Sequence, residues 1–136
     1  MIEPVRYKSG YKYQLAEGFY IRTAIRPPAD IVEPFVCLSR NGGLYLSAGY
    51  AWDGATGCPD FKSVMRGSLV HDALYQLLRL KLIPERERET ADLLLYDCCI
   101  EDGMWRPLAW SILQAVRLVG GPAADPANDR PVLVAP

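Results

Sequence analysis

The stretch FVCLSRNGGLYLSAGYAW, residues 35–52, decides the fold class because it contains the strongest hairpin signal in the chain. Two runs rich in aromatic and β-branched residues, 35–39 and 44–52, flank the dipeptide Asn41-Gly42. Asn-Gly between two such runs favours the tight turn that joins a pair of antiparallel strands. The sequence therefore predicts a β-hairpin here.

Two further runs of the same character come earlier in the chain. YKYQL, 11–15, and FYIRTAI, 19–25, are separated by Glu17-Gly18, which predicts a turn between a second pair of strands. Residues 26–34 contain three prolines, which have no backbone N–H to donate within a sheet. This segment is therefore expected to be a loop or a crossing at a sheet edge.

The second half of the chain has the pattern of helices. DGATGCPD, residues 53–60, contains two glycines and a proline and cannot continue a strand. Beyond it, apolar residues at helical spacing predict helices over about 62–80, about 84–101 and about 107–119, the last ending at Gly120-Gly121. Strands followed by helices predict an α+β domain over residues 1–120, with antiparallel hairpins and a small sheet packed on about three helices, and a proline-rich tail over 121–136.

The composition is that of a folded chain and argues against a nucleic-acid partner. Half of the 136 residues are hydrophobic, and the net charge of −1 comes from basic and acidic residues that are mixed along the chain. The N-terminus lacks the apolar stretch of a signal peptide, and the longest apolar segment, 107–121, is too short to span a bilayer. The four cysteines, 37, 58, 98 and 99, lack the spacing of a zinc site, so we expect reduced thiols in a cytoplasmic protein without a transmembrane segment.

The only histidine lies within SLVHDALYQL, residues 68–77, on the first predicted helix. Helical spacing puts Ser68, His71 and Tyr75 on one line and turns Asp72 by about 100° from His71. On the second helix, Asp92 lies between apolar residues, where an unpaired carboxylate is costly. Asp92 therefore needs a partner, and the candidates are Arg88, His71, Tyr75 and Arg66.

These residues allow one structural and three chemical hypotheses. In the structural one, His71 donates a hydrogen bond to Asp92 or Asp53, and an arginine pairs with Asp72 or Asp92. In the first chemical one, His71 and Asp72 bind a divalent metal together with oxygen ligands from Asp53, Asp60 or Asp92, which would favour magnesium or manganese over zinc. The other two are nucleophilic sets, Cys58–His71–Asp92 and Ser68 with His71 as its base.

The loop GYAWDGATGCPDF, residues 49–61, has a structural and a functional interpretation of its own. Asp53, Gly54 and Thr56 have the pattern of a tight turn in which side-chain oxygens accept backbone N–H bonds. Such a turn would pin the last strand to the first helix. The same residues beside a helix start could instead form a corner that binds a small anion or a metal.

Taken in order, GYAWDGAT, SLVHDALYQL and RERETAD resemble the phage and prophage family called domain of unknown function 1353. The family pattern is an Asp-Gly-Ala-Ser/Thr turn, a nearby proline, His-Asp-x-Leu-Tyr, and an arginine followed by Ala-Asp. The resemblance covers about residues 10–120, and the matching positions in this chain are Asp53, Gly54, Ala55, Thr56, Pro59, His71, Asp72, Leu74, Tyr75, Arg86 or Arg88, Ala91 and Asp92.

The resemblance implies a phage or prophage origin, one compact domain, and a single cluster of Asp53, His71, Asp72, Tyr75 and Asp92. It implies no activity, and Cys58 and the tail are not part of the pattern. The tail could pack along a neighbouring subunit, so a protein partner or self-association is expected, in the host cytoplasm or within a phage particle.

Two classes of function follow. The favoured one is a structural, virion-associated or host-interaction module in which the His/Asp cluster fixes the loop 49–61 to the helices. The alternative is a small metal-dependent or acid–base hydrolase that uses Asp53, His71, Asp72 and Asp92. In that case His71 is the base, Asp92 orients it, and Tyr75 with an arginine stabilises charge.

Overall fold

The computed structural model describes residues 5–7, 13–53, 62–124 and 133–135. Within these ranges the chain forms an α+β fold, as predicted, with seven short strands, three helices and a final strand. In chain order they are β1 (Val5–Tyr7), β2 (Tyr13–Gln14), β3 (Phe19–Arg22), β4 (Ile31–Glu33), β5 (Val36–Leu38), β6 (Gly43–Leu46), β7 (Ala51–Trp52), α1 (Lys62–Arg79), α2 (Glu87–Glu101), α3 (Arg106–Ala124) and β8 (Leu133–Ala135).

The hairpin predicted around Asn41-Gly42 is confirmed and forms the centre of a four-stranded antiparallel sheet in the order β3-β6-β5-β4. Val36 lies opposite Leu46, and Leu38 lies opposite Leu44. Gly42 has a φ of +92°, and a Cβ at this position would collide with the carbonyl oxygen of Thr23. Only glycine takes this conformation without strain. Glycine is therefore required at position 42 both by the turn and by the close approach of Thr23.

The predicted pairing of 11–15 with 19–25 is wrong. β2 pairs with β7, and β3 pairs with β6, so both runs lie along the 43–52 segment instead of along each other. Tyr13 is opposite Trp52 and Phe19 is opposite Leu46. The two strand pairs therefore share one register, although the pairing is interrupted between them. The interruption coincides with Gly49, whose φ of +95° bends the longer segment and divides it into β6 and β7.

The proline-containing segment 26–34 lies at the sheet edge, one of the two placements that the sequence allowed. Its residues 31–33 form β4, which pairs only with β5 in the sheet order. An edge strand needs backbone donors on one side only, so prolines next to it leave no sheet hydrogen bond unmade.

α1 packs against the inner face of this sheet and forms the main core. Apolar residues of β5 and β6 meet the buried stripe of α1, and the fully buried members are Val36, Leu38, Leu44, Leu46, Val70, Ala73, Leu74 and Leu77. A second apolar cluster joins α2 to α3 and includes Leu95, Cys99, Ala109, Ile112 and Val116. α2 therefore lies between α1 and α3, with one face toward each.

The C-terminal part differs from the prediction in the length of α3. α3 does not end at Gly120-Gly121 but continues to Ala124, because glycine lowers helix propensity by only about 1 kcal/mol and does not block helical geometry. Residues 133–135, within the segment predicted as a proline-rich tail, form β8, which pairs antiparallel with β1. The division at residue 120 thus falls inside α3. None of the helices described is long and apolar enough to cross a membrane.

Gly67 controls how closely α1 approaches α2. A Cβ at Gly67 would lie 2.8 Å from Leu95 Cδ1 and 3.0 Å from the Leu95 carbonyl oxygen. We expect Gly67→Ala to lower the free energy of unfolding by about 1–3 kcal/mol, because the helices must move apart. Urea unfolding measures this. Helix propensity alone predicts the opposite sign, a gain of about 1 kcal/mol, and that result would show that the close contact is unimportant.

Candidate functional site

A carboxylate with two hydrogen-bond partners lies between α1 and α2. Oδ1 of Asp92 accepts a hydrogen bond from the Tyr75 hydroxyl at 2.7 Å and lies 2.7 Å from Nε2 of His71. Asp92 is 1% exposed and His71 is 6% exposed, so these contacts are made inside the protein. An ionised carboxylate at such a position is tolerated only when donors of this kind surround it.

The helical spacing seen in the sequence explains how the cluster forms. His71 and Tyr75 are four residues apart on α1 and present their polar atoms to the same point on α2. Their rings lie one above the other, with centroids 4.2 Å apart and planes inclined by 30°. Asp92 follows the fully buried Ala91, on the side of α2 that faces α1.

The other nitrogen of His71 faces a second carboxylate. Nδ1 of His71 is 3.9 Å from Oδ1 of Asp72, whose side chain is 28% exposed. Oδ2 of Asp72 accepts a long hydrogen bond, 3.4 Å, from the backbone N–H of Asp53 at the end of β7. His71 therefore lies between Asp92 in the core and Asp72 near the surface.

A neighbouring hydrogen bond also attaches β7 to α1. The indole N–H of Trp52 donates to the Ser68 hydroxyl at 3.1 Å, and that hydroxyl donates to the Met65 carbonyl at 3.0 Å. The proton of Ser68 is thus directed at a backbone oxygen, which does not suit a nucleophile activated by His71. Trp52 was absent from the sequence candidates, although a buried indole N–H normally requires an acceptor.

The electrostatics of the cluster favour a protonated histidine. Burial alone would lower the pKa of His71, but hydrogen bonds and charge from Asp72 and Asp92 outweigh it and raise the pKa above its ordinary value. Burial raises the pKa of Asp72, and the charges of His71 and Arg79 oppose this. Burial and the bond to Asp92 also raise the pKa of Tyr75, so its hydroxyl stays a donor.

Two of the four candidate partners of Asp92 are thus found beside it, on α1. Arg66, a third candidate, reaches the end of α2 instead, where its guanidinium forms hydrogen bonds of 3.1 Å to both Asp102 and Glu101. Arg88, the fourth, acts on the cluster through its charge, which partly opposes the rise in the pKa of Tyr75.

Some of the remaining residues predicted for the site lie outside the part of the chain that the structure describes. The loop positions Gly54, Ala55, Thr56, Cys58, Pro59 and Asp60 lie outside the described residues, so the Cys58 hypothesis and the Asp60 ligand stay predictions. Cys98 and Cys99 are buried, and burial raises the pKa of the Cys98 thiol to about 11, which keeps it protonated at neutral pH. Cys37 is a half-buried free thiol.

The metal hypothesis concerns His71, Asp72, Asp53 and Asp92, which the structure describes, and Asp60, which lies outside the described residues. Across residues 13–53 and 62–119, no group of three or more histidine, cysteine, aspartate or glutamate side chains is arranged to hold a metal ion. Asp92 directs Oδ1 at two hydrogen-bond donors, and Asp72 and Asp53 contact each other through a backbone N–H.

Compared with protein-family models, with curated proteins and with solved structures, the chain matches none. The resemblance to the family of domain of unknown function 1353 stays a prediction from the sequence.

The titration of His71 can be followed without assignment work, because it is the only histidine. We expect the imidazole signals in a proton NMR titration to move with a midpoint above the ordinary value of 6.5. Asp92→Asn removes one facing charge and should lower this midpoint. A wild-type midpoint at or below 6.5 would mean that burial outweighs the two carboxylates.

The raised pKa of His71 also predicts how stability depends on pH. Above pH 6.5 the native protein holds a proton at His71 that the unfolded chain releases. The contribution of His71 is therefore complete below pH 6.5 and is lost as the pH rises through the native pKa. Urea unfolding at a series of pH values should show this slope in the wild type and lack it in His71→Gln.

The Tyr75 hydroxyl supplies one of the two contacts to Oδ1 of Asp92. We expect Tyr75→Phe to lower the free energy of unfolding by about 1.5–3 kcal/mol, the usual contribution of a hydrogen bond to a charged group. Tyr20→Phe, on the exposed side of β3, is the control and should change it by less than about 0.5 kcal/mol. Equal effects of the two substitutions would contradict the role given to Tyr75.

Proposed function

We propose that this chain is a phage- or prophage-encoded binding or structural module in which the His71–Asp92–Tyr75 cluster is an internal clasp. The observation that carries the proposal is that both nitrogens of a buried histidine face carboxylates, Asp92 at 2.7 Å and Asp72 at 3.9 Å. The phage origin rests on the sequence resemblance. Acting as a structural or virion-associated component and acting on a host protein are both compatible with this architecture.

The environment of His71 does not favour the role of a general base. A general base must be largely unprotonated at the working pH and must present a lone pair to the substrate. His71 has a raised pKa, its Nε2 lies 2.7 Å from the Asp92 carboxylate, and its Nδ1 lies 3.9 Å from the Asp72 carboxylate. The cluster is therefore better suited to holding α1 and α2 together than to transferring protons.

Large apolar side chains on the surface also support a binding role. Trp105 and Trp110 are exposed at and near the start of α3, and Tyr20 and Tyr45 are exposed on the sheet. Aromatic residues are the ones that most often dominate binding energy at protein interfaces. Together with the buried cluster, they support a function at the surface.

An acid–base hydrolase is the second candidate, and Asp72 is the observation that favours it. Asp72 is the most exposed carboxyl that contacts His71, and burial raises its pKa, which is how enzymes prepare a carboxyl for proton transfer. In such an enzyme Asp72 would contact the substrate. The charge of protonated His71 would lower the pKa of Asp72, and Asp53 would lie beside Asp72. Asp92 and Tyr75 would hold His71 in place.

Two matched variants separate the candidates. If the cluster is structural, His71→Ala lowers the free energy of unfolding by about 1–3 kcal/mol, because it removes one of the two hydrogen-bond partners of the buried Asp92 carboxylate. Asp72→Asn keeps the acceptor for the Asp53 N–H and should change stability far less. Urea unfolding measures both.

The same two variants are assayed for hydrolysis of phosphoester, ester, peptide and glycoside reporter substrates. The clasp predicts no turnover that depends on Asp72. Turnover by the wild type that Asp72→Asn abolishes, with stability unchanged, would establish the hydrolase instead. An unchanged stability of His71→Ala would also contradict the clasp.

A further inference from the structure

The side of the four-stranded sheet that faces away from α1, called here the outer face, carries a row of uncharged side chains. Tyr20 lies opposite Tyr45, Tyr45 opposite Cys37, and Cys37 opposite Val32, so the row crosses all four strands. Tyr20, Tyr45 and Val32 are 59%, 46% and 75% exposed. Adjacent exposed apolar side chains of this size are typical of an interaction surface.

The two tyrosines lie along the sheet instead of standing away from it. A Cβ at Gly43 would be 2.9 Å from the Tyr20 hydroxyl, and a Cβ at Gly18 would be 2.6 Å from the Tyr45 hydroxyl. Each phenol therefore ends over a glycine of the neighbouring strand segment. The row is flat as a result, and a flat surface packs well against another flat surface.

A second row on the outer face carries one positive and one negative charge. Arg22 of β3 lies opposite Gly43, and the Ser39 N–H continues the register by donating to the Gly43 carbonyl at 2.9 Å. Asp30 precedes β4, and its carboxylate accepts a hydrogen bond of 2.8 Å from the Arg40 N–H, next to Ser39. Exposed Arg22 and exposed Asp30 thus lie at opposite edges of the sheet.

We propose that the outer face binds a second copy of this chain, in a dimer whose two-fold axis lies in the interface and runs parallel to the strands. Rotation about this axis exchanges the β3 edge with the β4 edge. Tyr20 then faces the partner's Val32, and Tyr45 faces the partner's Cys37. Arg22 faces the partner's Asp30, and the reciprocal contacts follow from symmetry.

The arrangement of charge selects a second copy over other partners. A nucleic acid or another polyanion requires several clustered cations, and the second row has one arginine and one aspartate. Opposite charges at opposite edges are instead complementary to the same face after rotation. The net charge of −1 adds little repulsion between two copies.

The small area of the outer face determines the expected affinity of the dimer. Four strands at about 4.8 Å spacing, each only three or four residues long at about 3.4 Å per residue, bury less than the roughly 800 Å² per partner of a standard interface. Association should therefore depend on concentration between the micromolar and millimolar ranges. This inference rests on the proposed function, because it names one partner of the binding module.

Sedimentation equilibrium of the full chain between about 10 µM and about 1 mM tests the dimer. We expect the mass to rise from one chain toward two, and Val32→Asp to weaken association at least about tenfold by placing a charge against Tyr20 of the partner subunit. Leu118→Asp, at an 83% exposed position on α3, is the matched control and should leave association unchanged. A wild type that stays monomeric throughout, or equal weakening by both variants, would overturn the proposal.

A charge exchange tests the arrangement and does not depend on how Val32→Asp folds. Arg22→Asp and Asp30→Arg should each weaken association, because each puts like charges together, and the double variant should restore it. A double variant no better than the weaker single variant would overturn the two-fold arrangement. Asp30→Asn retains an acceptor for the Arg40 N–H and should weaken association without disturbing that turn.

Different measurements test the proposed dimer and the proposed structural role of the His71–Asp92–Tyr75 cluster. The clasp is measured by the unfolding free energy of dilute protein, through His71→Ala, whereas the dimer is measured by mass, through Val32→Asp and the charge exchange. Loss of the predicted mass change with the His71 effect intact rejects only this inference.

Discussion

The position of α1 against α2 depends on a single buried carboxylate. Asp92 would be strongly destabilising without donors, and its two donors, His71 and Tyr75, lie one turn apart on α1. A shift of one residue along either helix rotates a side chain by about 100° and would remove these contacts. The apolar residues of the two helices would tolerate several packings, so the polar cluster selects among them, while Gly67 permits the close approach.

The bonds that satisfy Asp92 also limit the chemistry of His71. Its Nε2 is directed at Asp92 and its Nδ1 faces Asp72, so the contacts that hold the cluster together also raise the pKa of the imidazole. Asp72 is different, because it joins the core cluster to the surface and, through the Asp53 N–H, to the end of β7. The difference between an architectural and a catalytic role therefore depends on Asp72 more than on His71.

The sheet has two distinct faces because side chains alternate along each strand. Val36, Leu38, Leu44 and Leu46 point into the core with α1, while the residues between them, Cys37 and Tyr45, belong to the outer face. The same short strands thus contribute both to stability and to a surface suited to binding. Gly49 limits the flat region, since the bend there separates β7 from the four-stranded sheet.

Spacing within a segment determined much of this protein. The Asn41-Gly42 hairpin, the three helices, the shared line of His71 and Tyr75, and the need of Asp92 for a partner all follow from residues within a few positions of one another. Only the tertiary structure decided that β2 pairs with β7, that α3 passes Gly120, that Ser68 bonds to Trp52, and that Arg66 binds Asp102 instead of Asp92. Each of these outcomes except the length of α3 depends on the distance between segments far apart in the chain. Such distances are set by how the whole core packs, and local spacing carries no information about them.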